Sequence, residues 1–148
     1  MKIYLSGPFF TDTEKIYNET IAKKLREKYE VIVPSENEIP MDNLSHEEWA
    51  KKIFDTDVSQ IKECDIVIAT DFGAISDAGT AWECGYAYAI GKPVYICSAS
   101  AHSINKEISF THSLMMVNGC THFFNSFDEL LHFLDTGEVI PVVNIKQL

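Results

Sequence analysis

The chain has 148 residues, and 46% of them are hydrophobic, which is the size and apolar content of one globular domain. It carries 22 acidic but only 12 basic side chains, so its formal net charge is -10. Because contacts with phosphates need clustered Lys and Arg, this balance argues against a nucleic acid partner. No apolar run approaches the roughly 20 residues of a membrane span, and the N-terminal run is too short for a signal peptide. We therefore expect a cytoplasmic protein with no membrane association and one domain over residues 1–148.

The spacing of the cysteines argues against a metal-binding or redox function. The four cysteines, Cys64, Cys84, Cys97 and Cys120, form no C-x-x-C pair, and no Cys/His group has zinc-ligand spacing. Free Cys is among the most buried residue types, which favours reduced, buried thiols in a reducing compartment. We expect no metal site and no cofactor.

Short apolar runs alternate along the chain with longer segments of helical periodicity. The predicted strands cover residues 3–6, 31–34, 65–70, 94–98 and 122–124. The predicted helices cover residues 11–29, 45–64, 78–90, 113–117 and 127–134, and residues 136–148 form a C-terminal tail without a clear pattern. This alternation predicts an α/β fold: a flavodoxin- or Rossmann-like doubly wound parallel sheet of about five strands, with helices on both faces.

Capping signals and apolar spacing support two of these helices. In the first, Thr11 or Asp12 is the expected N-cap, and Ile16, Ile21 and Leu25 are expected on the buried stripe. In the second, the string that begins at residue 45 (SHEE) has the S-x-x-E spacing of a capping box, which predicts a helix start there.

Three carboxylates lie close to the carboxyl ends of predicted strands, where ligands bind in open parallel sheets. Asp77 and Glu83 lie at the start of the third helix, and Asp57 lies on the helix before it. Cleavage of a glycosidic bond needs one carboxylate at the anomeric carbon and a second carboxyl group that manages the proton of the leaving group. Neighbouring carboxyl groups also separate their pKa values, which allows these two different roles.

Purely structural alternatives exist for the same residues. Thr80 and Glu83 have the T-x-x-E spacing of a capping box, Asp77 is a possible plain N-cap, and Asp57 is a possible solvated helix residue. The sequence lacks the G-x-G-x-x-G dinucleotide fingerprint, the P-loop and the G-x-S-x-G elbow. Tyr4 and the two Phe that follow Gly7 and Pro8 could sandwich a flat base or belong to the core.

Five segments together have a recognisable pattern: residues 2–12, 34–38, 57–68, 76–93 and 113–115. The most specific of them is SDAGTAWECGYAYAIGKP, because it carries D-x-G-T-x-x-E-x-G between two predicted strands. In these segments the chain resembles the nucleoside 2-deoxyribosyltransferase family, from residue 2 to about residue 134.

The resemblance implies a transferase that moves 2-deoxyribose between purine and pyrimidine bases of deoxynucleosides. It implies that Glu83 is the nucleophile, Asp77 protonates the leaving base, Asp57 helps to bind it, and Tyr4 orients Glu83. The expected substrate-binding residues are Gly7, Phe9, Phe10, Glu38, Gly79, Ser113 and Met115. The expected partners are deoxynucleosides and free bases, in a homo-oligomer (dimer or hexamer) whose sites are completed by Ser113 and Met115 of a neighbouring chain.

Two alternatives remain open. Ser113 stands where the family usually has Asn, and a serine there resembles the related 2′-deoxynucleoside 5′-monophosphate N-hydrolases. The loop of residues 7–12 argues against a phosphate-bearing substrate, because it has no basic residue and an acidic site would repel the phosphate. A non-catalytic nucleotide-binding module on the same fold is the second alternative.

Overall fold

The structure is a computed structural model that describes residues 1–73, 75–99 and 112–140. Its five strands are β1 (Lys2–Ser6), β2 (Glu30–Ile32), β3 (Ile66–Asp71), β4 (Val94–Ser98) and β5 (His122–Phe124). Its helices are α1 (Asp12–Leu25), α2 (His46–Glu63), α3 (Ala78–Ala89), α4 (Leu114–Gly119) and α5 (Phe127–Thr136), with a 3-10 turn at Pro34–Glu36. The tail predicted for residues 136–148 lies largely outside the described residues, as does most of the irregular segment predicted for residues 99–112.

The strands form one parallel sheet in the order β2-β1-β3-β4-β5. This is the flavodoxin-like order, and it places the topological switch point between β1 and β3. Buried residues of α1 and α5 belong to the core on one face of the sheet, and those of α2, α3 and α4 belong to the core on the other. The predicted doubly wound α/β fold is therefore confirmed.

Alternation along β1 decides which side chains face which helices. Ile3 and Leu5 pack in the core beneath α1 and α5, whereas Tyr4 packs in the opposite core, beneath α2 and α3. Side chains two residues apart in a strand point to the same face. Ser6 therefore shares the face of Tyr4, and both are fully buried.

The predicted helix starts agree with the structure. Thr11 is the N-cap of α1 and forms a capping box with Glu14, and Ser45 forms the predicted capping box with Glu48. Each box satisfies backbone N–H groups that the first turn of a helix leaves without a partner.

Two details of the first helix were predicted wrongly. α1 ends at Leu25 rather than near residue 29, and Ile16 is 65% exposed instead of lying on the buried stripe. The buried residues are Asn18, Ile21, Ala22 and Leu25, which follow the helical i, i+3, i+4, i+7 spacing. Since each residue turns the helix by about 100°, Ile16 lies about 140° away from Ile21 around the axis. The polar Asn18 occupies the stripe because its amide donates to Pro8 O and its Oδ1 accepts from Thr70.

The cysteine and membrane expectations can be compared with the described residues. Cys64, Cys84 and Cys97 are buried, Cys120 is half-buried, and none forms a disulfide. No helix within the described ranges has the length and apolarity needed to cross a membrane.

Candidate active site

The carboxylate of Glu83 is held by two hydroxyl groups of β1. Tyr4 Oη donates to Glu83 Oε1 at 2.7 Å, and Ser6 Oγ donates to Oε2. α3 presents Glu83 to the sheet in its second turn, opposite the face that Tyr4 and Ser6 share. The capping-box alternative for Glu83 therefore does not apply, because both of its oxygens bond to the strand.

Opposing effects act on the pKa of Glu83. Burial raises the pKa, the two hydrogen bonds from Ser6 and Tyr4 lower it, and the negative charges of Asp57 and Asp77 raise it again. The net result is a pKa above the ordinary value for a glutamate. Burial and the neighbouring Glu83 charge likewise raise the pKa of Tyr4, so its hydroxyl remains a hydrogen-bond donor.

Asp77 is the N-cap of α3. Its Oδ2 accepts hydrogen bonds from the backbone N–H of Thr80 at 2.7 Å and from Thr80 Oγ1 at 2.9 Å. Asp77 is therefore an N-cap, as the structural alternative held, but only its Oδ2 is used for capping. A Cβ added at Gly79 would lie only 3.2 Å from this same oxygen, so Gly79 leaves room for the carboxylate.

Asp57 belongs to a polar cluster between α2 and the loop after β2. Asn37 Nδ2 donates to Asp57 Oδ1 at 3.3 Å and to Gln60 Oε1 at 3.0 Å, and Gln60 Nε2 donates back to Asn37 Oδ1 at 2.8 Å. Burial raises the pKa of Asp57, and the Asn37 hydrogen bond opposes that shift. Asp57 is therefore a half-buried carboxyl group with a fixed orientation rather than a solvated helix residue.

Three cavities that share lining residues surround these carboxylates. A cavity of about 310 Å³ between α2 and α3 is lined by Asp57, Gly79, Trp82 and Glu83, among others. It shares Asp57 with a cavity of about 340 Å³ beside the loops after β1 and β2. Phe10 lines both this second cavity and a third cavity, which has a volume of about 220 Å³ and is also lined by Asp77. We refer to these three adjoining cavities at the carboxyl edge of the sheet together as the cleft. Asp57, Asp77 and Glu83 line it, whereas Tyr4 is fully buried.

Most of the predicted substrate-binding residues line this cleft. Gly7, Phe9 and Phe10 border the cavity of 340 Å³, where Phe10 is exposed and Phe9 packs partly on the core. A side chain at Gly7 would collide with Thr70, so the absence of a Cβ there also serves packing. Glu38 is exposed and does not line this cavity, although its neighbours Asn37 and Ile39 do.

Ser113 and Met115 lie apart from Glu83 within one chain. They line a separate, mainly apolar cavity of about 350 Å³ between α3 and α4, together with Cys84 and Tyr88. Met115 is 84% exposed, and Leu114 and Tyr88 are also exposed. The structure of one chain therefore does not bring the predicted Ser113 and Met115 contacts to the nucleophile.

Sequence reasoning missed Ser6 and Asn37. The signal for Ser6 is its spacing, because a residue two positions after Tyr4 in a strand shares its face. The Asn37 contact depends on the path of a loop, and no local pattern predicts that path.

A buried network at the ends of β3 and β4 was also missed. His112 Nδ1 lies 2.8 Å from Asp71 Oδ2, and His112 Nε2 lies 3.3 Å from Ser98 Oγ. Ser76 donates to the other Asp71 oxygen at 3.1 Å. The network connects the residue before Asp77 to the segment that precedes α4.

The charge of the cleft is negative. The described residues that line its three cavities include no Lys, Arg or His. They include four acidic residues, Glu14, Asp57, Asp77 and Glu83. Within the described ranges, no group of three or more His, Cys, Asp or Glu has a geometry suited to a metal ion. The chemistry that the described side chains can perform is nucleophilic attack and proton transfer by carboxyl groups.

Comparisons with known proteins bear on the family and the fold. The model of the nucleoside 2-deoxyribosyltransferase family matches residues 3–131. The 2-deoxyribosyltransferase of Bacillus psychrosaccharolyticus is 29% identical, with a TM-score of 0.78 over 95% of this chain and 98% of that one. A comparison with curated protein sequences found no match.

Two further solved structures are similar. A conserved protein of Enterococcus faecalis V583 is 24% identical, with a TM-score of 0.78 over 93% of this chain and 99% of that one, and it supports the fold alone. A CMP N-glycosidase of Clostridium botulinum is 25% identical, with a TM-score of 0.56 over 91% of this chain and 98% of that one. Since the family model spans most of the chain, the chain belongs to the nucleoside 2-deoxyribosyltransferase family.

Proposed function

We propose that this protein transfers 2-deoxyribose between the bases of 2′-deoxynucleosides through a covalent ester on Glu83, as an enzyme of nucleoside salvage. The observation that carries the proposal is the Glu83 carboxylate, which two hydroxyls hold at the wall of a cleft that Asp57 and Asp77 also line. Glycosyl transfer with retention requires this combination of a nucleophile and a separate proton donor.

The first half-reaction uses Glu83 and Asp77. One Glu83 oxygen forms a bond to C1′ while the bond from C1′ to the base nitrogen breaks, and its electron pair passes to the base. Asp77 supplies a proton to the departing base. The products are a deoxyribosyl ester on Glu83 and a free base, in the position where Asp57, Phe9 and Phe10 line the cleft.

The second half-reaction reverses these roles. A nitrogen of the incoming base attacks C1′, the ester bond breaks, and its electron pair returns to the Glu83 carboxylate. The proton of the incoming base passes to Asp77. Two inversions at C1′ give net retention and ping-pong kinetics.

The active form is, in this proposal, a homo-oligomer. Ser113 and Met115 lie beside an apolar surface in one chain, away from that chain's own Glu83. In a dimer or hexamer the same residues would enter the cleft of a neighbouring chain. The cleft would then receive its sugar contacts from Ser113 and Met115 of that neighbour.

Two observations favour a second candidate, hydrolysis of nucleoside 5′-monophosphates. Ser113 replaces the usual Asn, and one similar structure is a CMP N-glycosidase. The negative cleft, without a basic lining residue in the described ranges, favours a free nucleoside because it would repel a phosphate.

A base-exchange assay separates the two functions. The protein is incubated with deoxyinosine and free adenine or cytosine and, in parallel, with deoxyguanosine monophosphate or CMP alone, and the products are separated by chromatography. New deoxyadenosine or deoxycytidine supports the transferase, and release of base only from a monophosphate supports the hydrolase.

The matched variants are Glu83→Ala and Glu19→Ala, because Glu19 is exposed on α1. Exchange should disappear only in Glu83→Ala. Full exchange by Glu83→Ala would contradict the covalent mechanism.

A further inference from the structure

Ser6, like Tyr4, donates a hydrogen bond to the nucleophile. It is fully buried, and its neighbour in β3 is the apolar Ala69, so the strand offers its hydroxyl no polar side chain there. Its hydroxyl donates to Glu83 Oε2, across the sheet face from α3. A buried hydroxyl needs a hydrogen-bond partner, and the described partner of Ser6 is this carboxylate.

The two hydroxyls divide the two oxygens of Glu83 between them. Tyr4 binds Oε1 and Ser6 binds Oε2, so rotation of the carboxylate would break both hydrogen bonds. One lone pair on each oxygen remains for reaction, and the plane of the carboxylate is fixed relative to the cleft. A single donor would leave the group free to rotate about its last torsion.

The same hydrogen bonds oppose the local electrostatics. Burial and the charges of Asp57 and Asp77 favour protonated Glu83, which cannot attack C1′, and the two hydroxyls favour the ionised form. When the ester later breaks, an electron pair returns to these oxygens. Donors that stabilise the carboxylate then also stabilise the departing group.

We propose that Ser6 is a positioning residue for the nucleophile: it holds Oε2 while Tyr4 holds Oε1, which fixes the orientation of the Glu83 carboxylate and favours its ionised form. The inference rests on the proposed role of Glu83. It assigns Ser6, a residue that is not expected from the family resemblance, to the reaction.

The test is the pH profile of kcat/KM for base exchange in Ser6→Ala. In the acid limb the rate is proportional to the ionised fraction of Glu83, so we expect a loss of roughly ten- to a hundredfold there. The loss should shrink as the pH rises, because Glu83 then ionises without the hydroxyl. Tyr4→Phe should change the profile in the same direction.

A matched control and a conservative variant exclude a general effect on folding. Leu5→Val changes the residue between Tyr4 and Ser6, and this side chain faces the opposite core. It should lower the Tm and leave the shape of the pH profile unchanged. Ser6→Cys replaces the hydroxyl with a weaker donor and should give an intermediate acid limb, so it decides the question if Ser6→Ala does not fold.

The outcomes distinguish a failure of the role of Ser6 from a failure of the proposed function. An acid limb that is unchanged in Ser6→Ala or Ser6→Cys, while Glu83→Ala is inactive, would overturn the role of Ser6 alone. Exchange that persists in Glu83→Ala would overturn the proposed function itself.

Discussion

The structure separates two possible roles of Asp77, and substitutions can test each one. As an N-cap, its Oδ2 accepts the Thr80 N–H, which is worth about 1 kcal/mol of stability. The bond from the buried Thr80 hydroxyl contributes about 1 kcal/mol more. Since 1 kcal/mol corresponds to about 2–4 °C in a chain of this size, Asp77→Ala should lower the Tm by about 4–8 °C.

Asp77→Asn keeps the cap and removes the carboxyl group. The amide oxygen can accept both Thr80 hydrogen bonds, and Asn caps helices about as well as Asp, so the Tm should change by less than about 2 °C. An amide cannot deliver a proton to the leaving base. Exchange should therefore fall by about 10²- to 10⁴-fold in both variants, as measured by chromatography of the products.

The matched control is Ser126→Ala, which removes the N-cap of α5 on the opposite face of the sheet. It should lower the Tm by about 2–4 °C and leave exchange unchanged. If Asp77→Asn exchanges bases at the wild-type rate, Asp77 is only a helix cap, and the proposed proton donor must be sought elsewhere in the cleft.

Three more predictions concern the nucleophile, the base contacts and the assembly. Glu83→Gln should abolish exchange and remove one contribution to the dependence of stability on pH. The folded protein binds the Glu83 proton more tightly than the unfolded chain, so Glu83 costs stability as the pH rises from the unfolded pKa through the raised folded pKa, and the wild type should lose more stability over this range than the variant; thermal melts of both proteins at several pH values test this. Asn37→Ala removes a hydrogen bond that holds Asp57, so it should raise the KM for the base more than it lowers kcat; an unchanged KM in initial-rate assays would contradict this. Finally, mixing unfolded Met115→Ala and Glu83→Ala chains and refolding them together should restore activity that neither has alone, because one site then combines Glu83 and Met115 from different chains; no recovery would argue against shared sites.

The fold could be predicted from the sequence because its signals are local and agree with one another. The alternation of apolar strands and helices predicted the doubly wound sheet, and the capping boxes at Thr11 and Ser45 predicted two helix starts. The error at Ile16 has a geometric reason, since an isoleucine in a helix is buried only if its angle matches the stripe. The angle of Asn18 matches, and its hydrogen bonds make burial of a polar group acceptable there.

The candidate site could be predicted only in part, since it depends on contacts between distant segments. Glu83, Asp77 and Asp57 were identified by spacing and by the family resemblance, and the structure places all three on one cleft. The Ser6 contact joins residues 77 positions apart in the chain. Asn37 requires a turn at Pro34–Glu36 that directs its side chain toward α2, and neither contact leaves a pattern in the neighbouring sequence.

The placement of Glu83 and Asp57 is difficult to explain by stability alone. Burial and nearby negative charge raise the pKa of Glu83, and burial also raises that of Asp57, so the charges of these two groups oppose folding at neutral pH. Tyr4, Ser6 and Asn37 each donate a hydrogen bond to one of these groups, which reduces the cost without removing it. Partly compensated carboxylates at the switch-point edge of a parallel sheet are expected when a cleft has to provide both a nucleophile and a proton donor. Apolar side chains in place of Glu83 and Asp57 would avoid this cost, so the arrangement agrees with the catalytic role proposed for the cleft.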